Sequence, residues 1–281
     1  MNFRVNGVAR DSISALDRAV QYGDGLFETV RVRGAKPEFL ARHLKRLDSG
    51  CRRLRFPVIP WNSLVQEVTE LASQLPDAAL KIILTRGQSD RGYRFDPDQE
   101  ATRLLALSPL PQWPADILQR GIRVRICAIR LCTQPLLAGI KHLNRLEQVL
   151  ARAEWDDAAI HEGLMLDHSG DLIEGTMSNI FLVCEGRLVT PALTACGVAG
   201  IMRSVILDLA RRLDFQTEIR PVTLEQVRNS SEVFVCNSLI GVWPVRKIDG
   251  LADYSIGRVT QALAAALISN RDSDEGDWYS S

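Results

Sequence analysis

Apolar side chains recur at helical spacing in two early stretches of the chain. Within 39–56 the positions Leu40, Leu44, Leu47, Cys51 and Leu54 share one face, and within 61–75 Leu64, Val68 and Leu71 repeat the pattern, so two amphipathic helices are predicted. Ahead of them FRVNGVARDSIS alternates apolar and polar residues about an Asn6-Gly7 turn, the signature of a strand hairpin. The apolar runs LKIILT from Leu80 and TRLLAL from Thr102 predict central strands, and the Arg/Gly-rich RGQSDRGYRFDPD between them predicts a loop. These elements together make a small α+β unit.

Three prolines fall within six positions of PLPQWPAD (109–116), which disfavours helix and central strand alike. The pattern predicts a small α+β domain over 1–110, a connection over 111–120 and a larger α/β, barrel-like domain over 121–269. The larger domain opens with a strand at 122–129, followed by a long helix from near His142 whose Leu143, Leu146, Val149 and Leu150 form a buried face. Short strands separated by HSGD and EGR turns come next, then helices near 201–213 and 256–268 flanking strands at 232–236 and 242–247. The last twelve residues, NRDSDEGDWYSS, are polar and expected to be disordered. There is no internal repeat.

Composition narrows the class without naming an activity. At 46% hydrophobic and 24% charged, a chain of 281 residues reads as an ordinary globular protein. Thirty-four basic and thirty-four acidic side chains cancel, so no global field attracts nucleic acid or an anionic membrane. There is no apolar run of membrane-spanning length, on the order of eighteen residues, and MNFRVNGVARDS lacks the features of a secretory signal, so a cytoplasmic location is expected. Cys51, Cys127, Cys132, Cys184, Cys196 and Cys236 form no C-x-x-C pair, and no two histidines sit at metal-ligand spacing. Buried free thiols are expected, and neither a disulfide scaffold nor a metal site.

Only five residues are lysines, which shortens the search for a reactive amine. Lys36, Lys45, Lys81 and Lys247 fall in ordinary turn, helix-surface and strand-end settings. Lys141 lies between an apolar, Gly-containing approach and the predicted helix, so it is either a snorkelling lysine at a helix start or an amine used covalently. Glu174, in GDLIEGTMSNIFLV, either caps a polar turn or stands as the acid beside a cofactor ring. The Gly before the VAGIMRSVILDLA helix aims the amides of Ile201 and Met202 at an anion or simply makes a turn. Asn237 and Ser238 end a strand with amides and a hydroxyl, and Arg46 offers a guanidinium for a phosphate or one charge on a solvated face.

These pieces stand in one order along the chain: YGDGLFET, HLKRL, the lysine, EGTMSNIF, GIMR and an Asn-Ser strand exit. That order resembles the branched-chain aminotransferase-like family of pyridoxal-phosphate enzymes, the fold called type IV, over about residues 1–268. Within it AGIKHLNRLEQVLAR (138–152) and RGYR (91–94) are similar to a lyase branch that acts on 4-amino-4-deoxychorismate. The KHLNRLEQ run is specific to that branch, whereas G-I-M-R and G-D-G are family-wide.

The resemblance implies pyridoxal 5′-phosphate as cofactor, Lys141 as its Schiff-base lysine and Glu174 as the partner of its ring nitrogen. It implies phosphate contacts from Arg46, the amides of Ile201 and Met202, and the Asn237-Ser238 pair. It implies a homodimer with the cofactor between two domains, and an 86–95 loop whose Arg86, Arg91 and Tyr93 are candidates for substrate carboxylates. Lys141 would then serve as anchor and general base, with Thr29 either a proton relay to the leaving group or a plain strand hydroxyl. The implied products are 4-aminobenzoate and pyruvate, a step of folate biosynthesis, and the alternative is a D-amino-acid or branched-chain aminotransferase of the same fold. Arg145 replaces an aromatic common in the aminotransferases, which argues against simple transamination, and Met202 replaces a threonine that would give the phosphate a hydroxyl.

Overall fold

The computed structural model describes residues 2–269, so the expected disorder of 270–281 lies outside the described residues. The chain divides into two compact units. Of the described residues, the first holds those up to Pro111 and Ile140–Asn144, and the second holds Gln112–Gly139 and Arg145 to Ser269.

In the first unit the hairpin β1 (Asn2–Val5) and β2 (Val8–Ala9) turns at Asn6-Gly7, and a short helix α1 (Arg18–Tyr22) leads into β3 (Gly25–Arg33) and β4 (Lys36–Pro37). Helices α2 (Leu40–Arg53) and α3 (Trp61–Ala72) follow, then β5 (Asp77–Thr85) and β6 (Thr102–Ser108). The six strands form one antiparallel sheet in the order β2-β1-β6-β5-β3-β4. Alternation along β3 and β5 sends Leu26, Val30, Val32, Leu80, Ile82 and Leu84 to the face covered by Leu44 and Leu47 of α2 and by Leu64, Val68 and Leu71 of α3. Each such burial removes apolar area worth about 1.5–3 kcal/mol per large side chain. The two predicted helices and the two central strands lie where their periodicity placed them.

The second unit begins with α4 (Ile117–Arg120), β7 (Ile122–Leu131), α5 (Leu146–Arg152), β8 (Ile160–Asp167) and β9 (Leu172–Gly175). It continues with β10 (Asn179–Cys184), β11 (Arg187–Pro191), α6 (Ile201–Arg212), β12 (Thr217–Arg220) and α7 (Leu224–Arg228). It ends with β13 (Glu232–Asn237), β14 (Gly241–Ile248), β15 (Ala252–Asp253) and α8 (Arg258–Ser269). Eight strands pair in the order β12-β11-β10-β13-β14-β7-β8-β9, mixing parallel and antiparallel ladders, and β15 joins β14. The sheet curls: the amide of Leu172, at the start of β9, donates to the carbonyl of Val222, just past β12. The inner side is filled by Val124, Leu164, Ile180, Leu182, Val233, Val235 and Val245, an apolar core inside a half-barrel.

One expectation is corrected here. The helix predicted from His142 begins only at Leu146, because the residues before it form a bridge to β3 instead. Its apolar stripe is not buried: Leu146 is 76% exposed, and Val149 and Leu150 also face solvent. Helical spacing specifies a stripe, not what covers it. Of the cysteines, Cys51, Cys127, Cys196 and Cys236 are buried free thiols, Cys184 is half-buried and Cys132 is exposed. Burial pushes Cys51, Cys127 and Cys196 up to about 12. No helix among the described residues is long and apolar enough to cross a membrane.

Candidate active site

In the first unit Lys141 is held against β3 by main-chain pairing. The amide of Phe27 donates to the Lys141 carbonyl at 3.0 Å, the amide of Leu143 donates to the Gly25 carbonyl at 2.9 Å, and Leu26 bridges His142. This edge of β3 is available there because β4 pairs only with Val32 and Arg33. Lys141 Nζ lies 4.2 Å from the centroid of the Phe27 ring, and Lys81 Nζ, from the neighbouring strand, lies 5.2 Å from the same ring. Half-buried Thr29 is directly opposite Lys81 in the ladder, one step along the face that carries Phe27. Sequence reasoning passed over Lys81 as a strand-end lysine; its position in phase with Phe27 and Thr29 was the signal.

The opposite face of β3 carries an acid that the sequence analysis missed. Glu28 is 1% exposed among core side chains and accepts from two residues of α2. His43 Nδ1 stands 2.6 Å from Oε2, Arg46 Nε donates to Oε1 at 2.7 Å, and Arg46 Nη2 donates to Oε2. Burial alone would raise the Glu28 pKa, but the Arg46 charge and the His43 hydrogen bond override it and hold the carboxyl at about 2. Burial pushes the His43 pKa below its ordinary value against the pull of Glu28, so the imidazole is neutral near pH 7.

The 86–95 loop is organised differently from expectation. Arg86 is buried, and its guanidinium donates to both oxygens of Asp24 (2.8 and 3.1 Å) and to the carbonyls of Leu54 and Arg55, between the rings of Phe56 and Phe95. Expected to meet substrate carboxylates, it is an internal strut instead, because Asp24 and two carbonyls already occupy its donors. Arg18 braces the same loop, donating to Asp24, to Ser89 Oγ and to the carbonyls of Gly92, Tyr93 and Arg94. Burial raises the Asp24 pKa, but its bonds to Arg86 and Arg18 outweigh that and leave it below the ordinary value. Arg91 is exposed, and Tyr93 is 85% exposed with its ring 5.3 Å from that of Tyr22.

In the second unit Glu174, on β9, is a buried carboxylate whose Oε2 accepts the amide of Val198 at 2.8 Å. Arg145 is the cation beside it: burial lowers its pKa, and the Glu174 and Glu147 carboxylates oppose the shift. The turn after Glu174 is fastened by Glu162, whose carboxylate accepts the hydroxyls of Thr176 and Ser178 and the amides of Gly163, Thr176 and Met177. Burial lifts the Glu162 pKa, with Ser178 and Thr176 pulling the other way.

Helix α6 starts at Gly200 with no side chain capping it, so the amides of Ile201 and Met202 face outward from a bare N-terminus. A Cβ at Gly200 would collide with Asn179 Oδ1, so the backbone there approaches as only glycine permits. The Asn237 side chain folds the turn that presents half-buried Ser238: its Oδ1 accepts the amides of Leu239 and Ile240 and its Nδ2 donates to the Met177 carbonyl. Among the described residues no cluster of His, Cys, Asp or Glu could hold a metal ion.

The curled mixed sheet of the second unit, carrying a buried acid, and the antiparallel sheet of the first, carrying a lysine on a strand edge, are the two parts of the fold type IV enzymes. The chain belongs to the amino-transferase class IV family, whose profile matches residues 25–248. It is 34% identical over 271 residues to an aminodeoxychorismate lyase of Vibrio harveyi, covering 94% of this chain and 99% of that one. A crystal structure of 4-amino-4-deoxychorismate lyase from Pseudomonas aeruginosa superposes with a TM-score of 0.91 at 45% identity, covering 98% of this chain and all of that one. A putative branched-chain-amino-acid aminotransferase of Methanocaldococcus jannaschii is 30% identical over 257 residues, 89% of this chain and 88% of that one.

Proposed function

We propose that this protein is a pyridoxal 5′-phosphate-dependent lyase that converts 4-amino-4-deoxychorismate to 4-aminobenzoate and pyruvate. The observation that carries the reading is Lys141, paired through its main chain to the edge of β3 that β4 leaves open, with its amine 4.2 Å from the centroid of the Phe27 ring. The choice of substrate is supported by the 45% identity to the Pseudomonas lyase over nearly the whole chain.

Each unit by itself carries donors of the kinds the cofactor needs. Lys141 supplies the anchoring amine, Glu174 a buried carboxylate for the ring nitrogen, and Ile201 and Met202 the amides of a helix N-terminus kept clear by Gly200 for the phosphate. Ser238 and Arg46 complete the phosphate contacts. When bound, pyridoxal 5′-phosphate supplies an electron sink for negative charge developing on the substrate carbon that bears the amine. Glu174 would face the ring nitrogen and favour its protonated form. With the substrate bound, the Lys141 amine would be the base for the proton on that carbon. Loss of the enolpyruvyl ether makes the six-membered ring aromatic, which drives the elimination, and Thr29 relays a proton towards the departing three-carbon fragment. Lys81, on the face of Phe27, and Arg91, in the exposed loop, receive the two substrate carboxylates.

The protein acts as a cytoplasmic homodimer in this reading. The exposed stripe of Leu146, Val149 and Leu150 supports a second copy, and six unpaired cysteines suit a reducing compartment.

The test is to add aminodeoxychorismate to the purified protein and to Lys141→Ala, and to follow both products and the visible absorption of bound cofactor. Equal amounts of 4-aminobenzoate and pyruvate, both lost in the variant, support the lyase. Cofactor absorption without 4-aminobenzoate, together with conversion to the pyridoxamine form by amino acids, replaces it with the aminotransferase.

A further inference from the structure

We propose that Glu28 and His43 are positioning residues for Arg46, fixing the plane of its guanidinium so that this arginine grips the phosphate of the cofactor. The inference rests on the reading of Arg46 as a phosphate contact given above.

Glu28 interrupts an otherwise apolar set, Leu26, Val30 and Val32, on the inner face of β3. A carboxylate there requires partners. Both come from one helical turn of α2, since His43 and Arg46 are three apart and share a face. Arg46 meets the carboxylate as a fork, through Nε and Nη2, so its guanidinium plane is set by the Glu28 carboxylate plane. His43, 0% exposed, closes the remaining side of Oε2, so that carboxylate cannot rotate. The Arg46 side chain is itself mostly buried, at 13% exposure, and a long side chain so confined loses little further entropy when it meets an anion.

Glu28 also neutralises part of the Arg46 charge. Removing it therefore has two opposite consequences: a loosened guanidinium weakens phosphate binding, and an uncompensated positive charge strengthens it. The proposal commits to the first.

The experiment compares the affinity of full-length apoprotein for pyridoxal 5′-phosphate and for pyridoxal, which lacks the phosphate, by absorbance titration. It uses wild type, Glu28→Gln, Arg46→Gln and the double variant. The expected result is that Glu28→Gln weakens pyridoxal 5′-phosphate roughly tenfold to a hundredfold, the range seen when the supporting partner of a ligand-holding group is removed. Pyridoxal affinity stays unchanged, and the double variant is no weaker than Arg46→Gln alone. If Arg46→Gln loses the preference for the phosphorylated form while Glu28→Gln keeps or strengthens it, the positioning role is overturned and Arg46 remains a phosphate contact. If Arg46→Gln itself keeps the preference, the underlying reading of Arg46 fails and this proposal with it. An equal loss for both ligands in Glu28→Gln overturns the proposal in favour of a merely structural acid. Should Glu28→Gln not fold, Glu28→Asp, which keeps the charge and withdraws it by one methylene, carries the same comparison.

Discussion

The main-chain amide of Phe27 donates to the carbonyl of Lys141, and the Lys141 amine returns over the Phe27 ring at 4.2 Å. One residue thus fixes both ends of the lysine. The same ring lies 5.2 Å from Lys81 Nζ, so two ammonium groups converge on one small apolar platform. Each gains a cation–π attraction of about 0.5–1 kcal/mol, and the two repel one another. Such a pair favours an anion that bridges them.

Lys81→Ala is the direct test of that convergence. Lys81 is exposed, so its loss leaves the fold intact. A charge-assisted contact to a carboxylate is worth about 1.5–3 kcal/mol, so the KM for a dicarboxylate substrate should rise by about tenfold or more, with kcat less affected. An unchanged KM would place the substrate carboxylates elsewhere.

Arg86 should behave in the opposite way. Its guanidinium joins Asp24 to the carbonyls of Leu54 and Arg55, so Arg86→Ala breaks a mostly buried ion pair and unsatisfies two carbonyls. The expected cost is about 3 kcal/mol, read as a lowered melting temperature. Since the side chain is not available to substrate, KM at a temperature where the variant is folded should stay near that of wild type. A large KM change without loss of stability would return Arg86 to the substrate site.

Much of this was legible in the sequence, and the gaps have physical causes. Lys141 and Glu174 stand out because an amine beside an apolar stretch and an acid between two strands each demand explanation locally. What periodicity could not reveal is partnership between residues far apart in the chain. The spacing of Leu146, Val149 and Leu150 predicts a helix but says nothing of which side is wet. Arg86 reads as a loop cation until Asp24 is found against it. Glu28 was readable and overlooked: an acid in phase with Leu26, Val30 and Val32 announces a buried partner.

That acid makes stability sensitive to pH in a defined window. The Glu28 carboxyl falls from its ordinary 4.5 to about 2 on folding, so its contribution is fully present above pH 4.5 and is lost as pH falls towards 2. The magnitude is on the order of 3 kcal/mol. His43 adds to the slope from the neutral side, because burial lowers its folded pKa while the unfolded chain takes up a proton near pH 6.5. Asp24, also lowered on folding, acts in the same direction as Glu28. Melting temperatures measured from pH 7 to pH 3 should decline steeply below 4.5 for wild type and more gently for Glu28→Gln. Parallel curves would show that Glu28 does not ionise differently in the folded state.

The stripe on α5 supplies the remaining prediction. Leu146, Val149 and Leu150 project from a seven-residue helix whose one fully buried side chain is Ala151, so they contribute little to the fold of a single chain. Exposed leucines at this spacing are stable in water only at the expense of unburied area, which a second copy would remove. The double variant Leu146→Glu, Leu150→Glu is therefore expected to keep its melting profile at low concentration yet sediment as a monomer where wild type sediments as a dimer. Leu146 directly follows Arg145, the cation beside Glu174, so a contact at this helix would also steady the acid that serves the cofactor ring. Monomerisation should accordingly weaken cofactor retention as well as association. A dimer that survives both glutamates moves the interface to another face, and a monomeric wild type removes the dimer from the proposed function altogether.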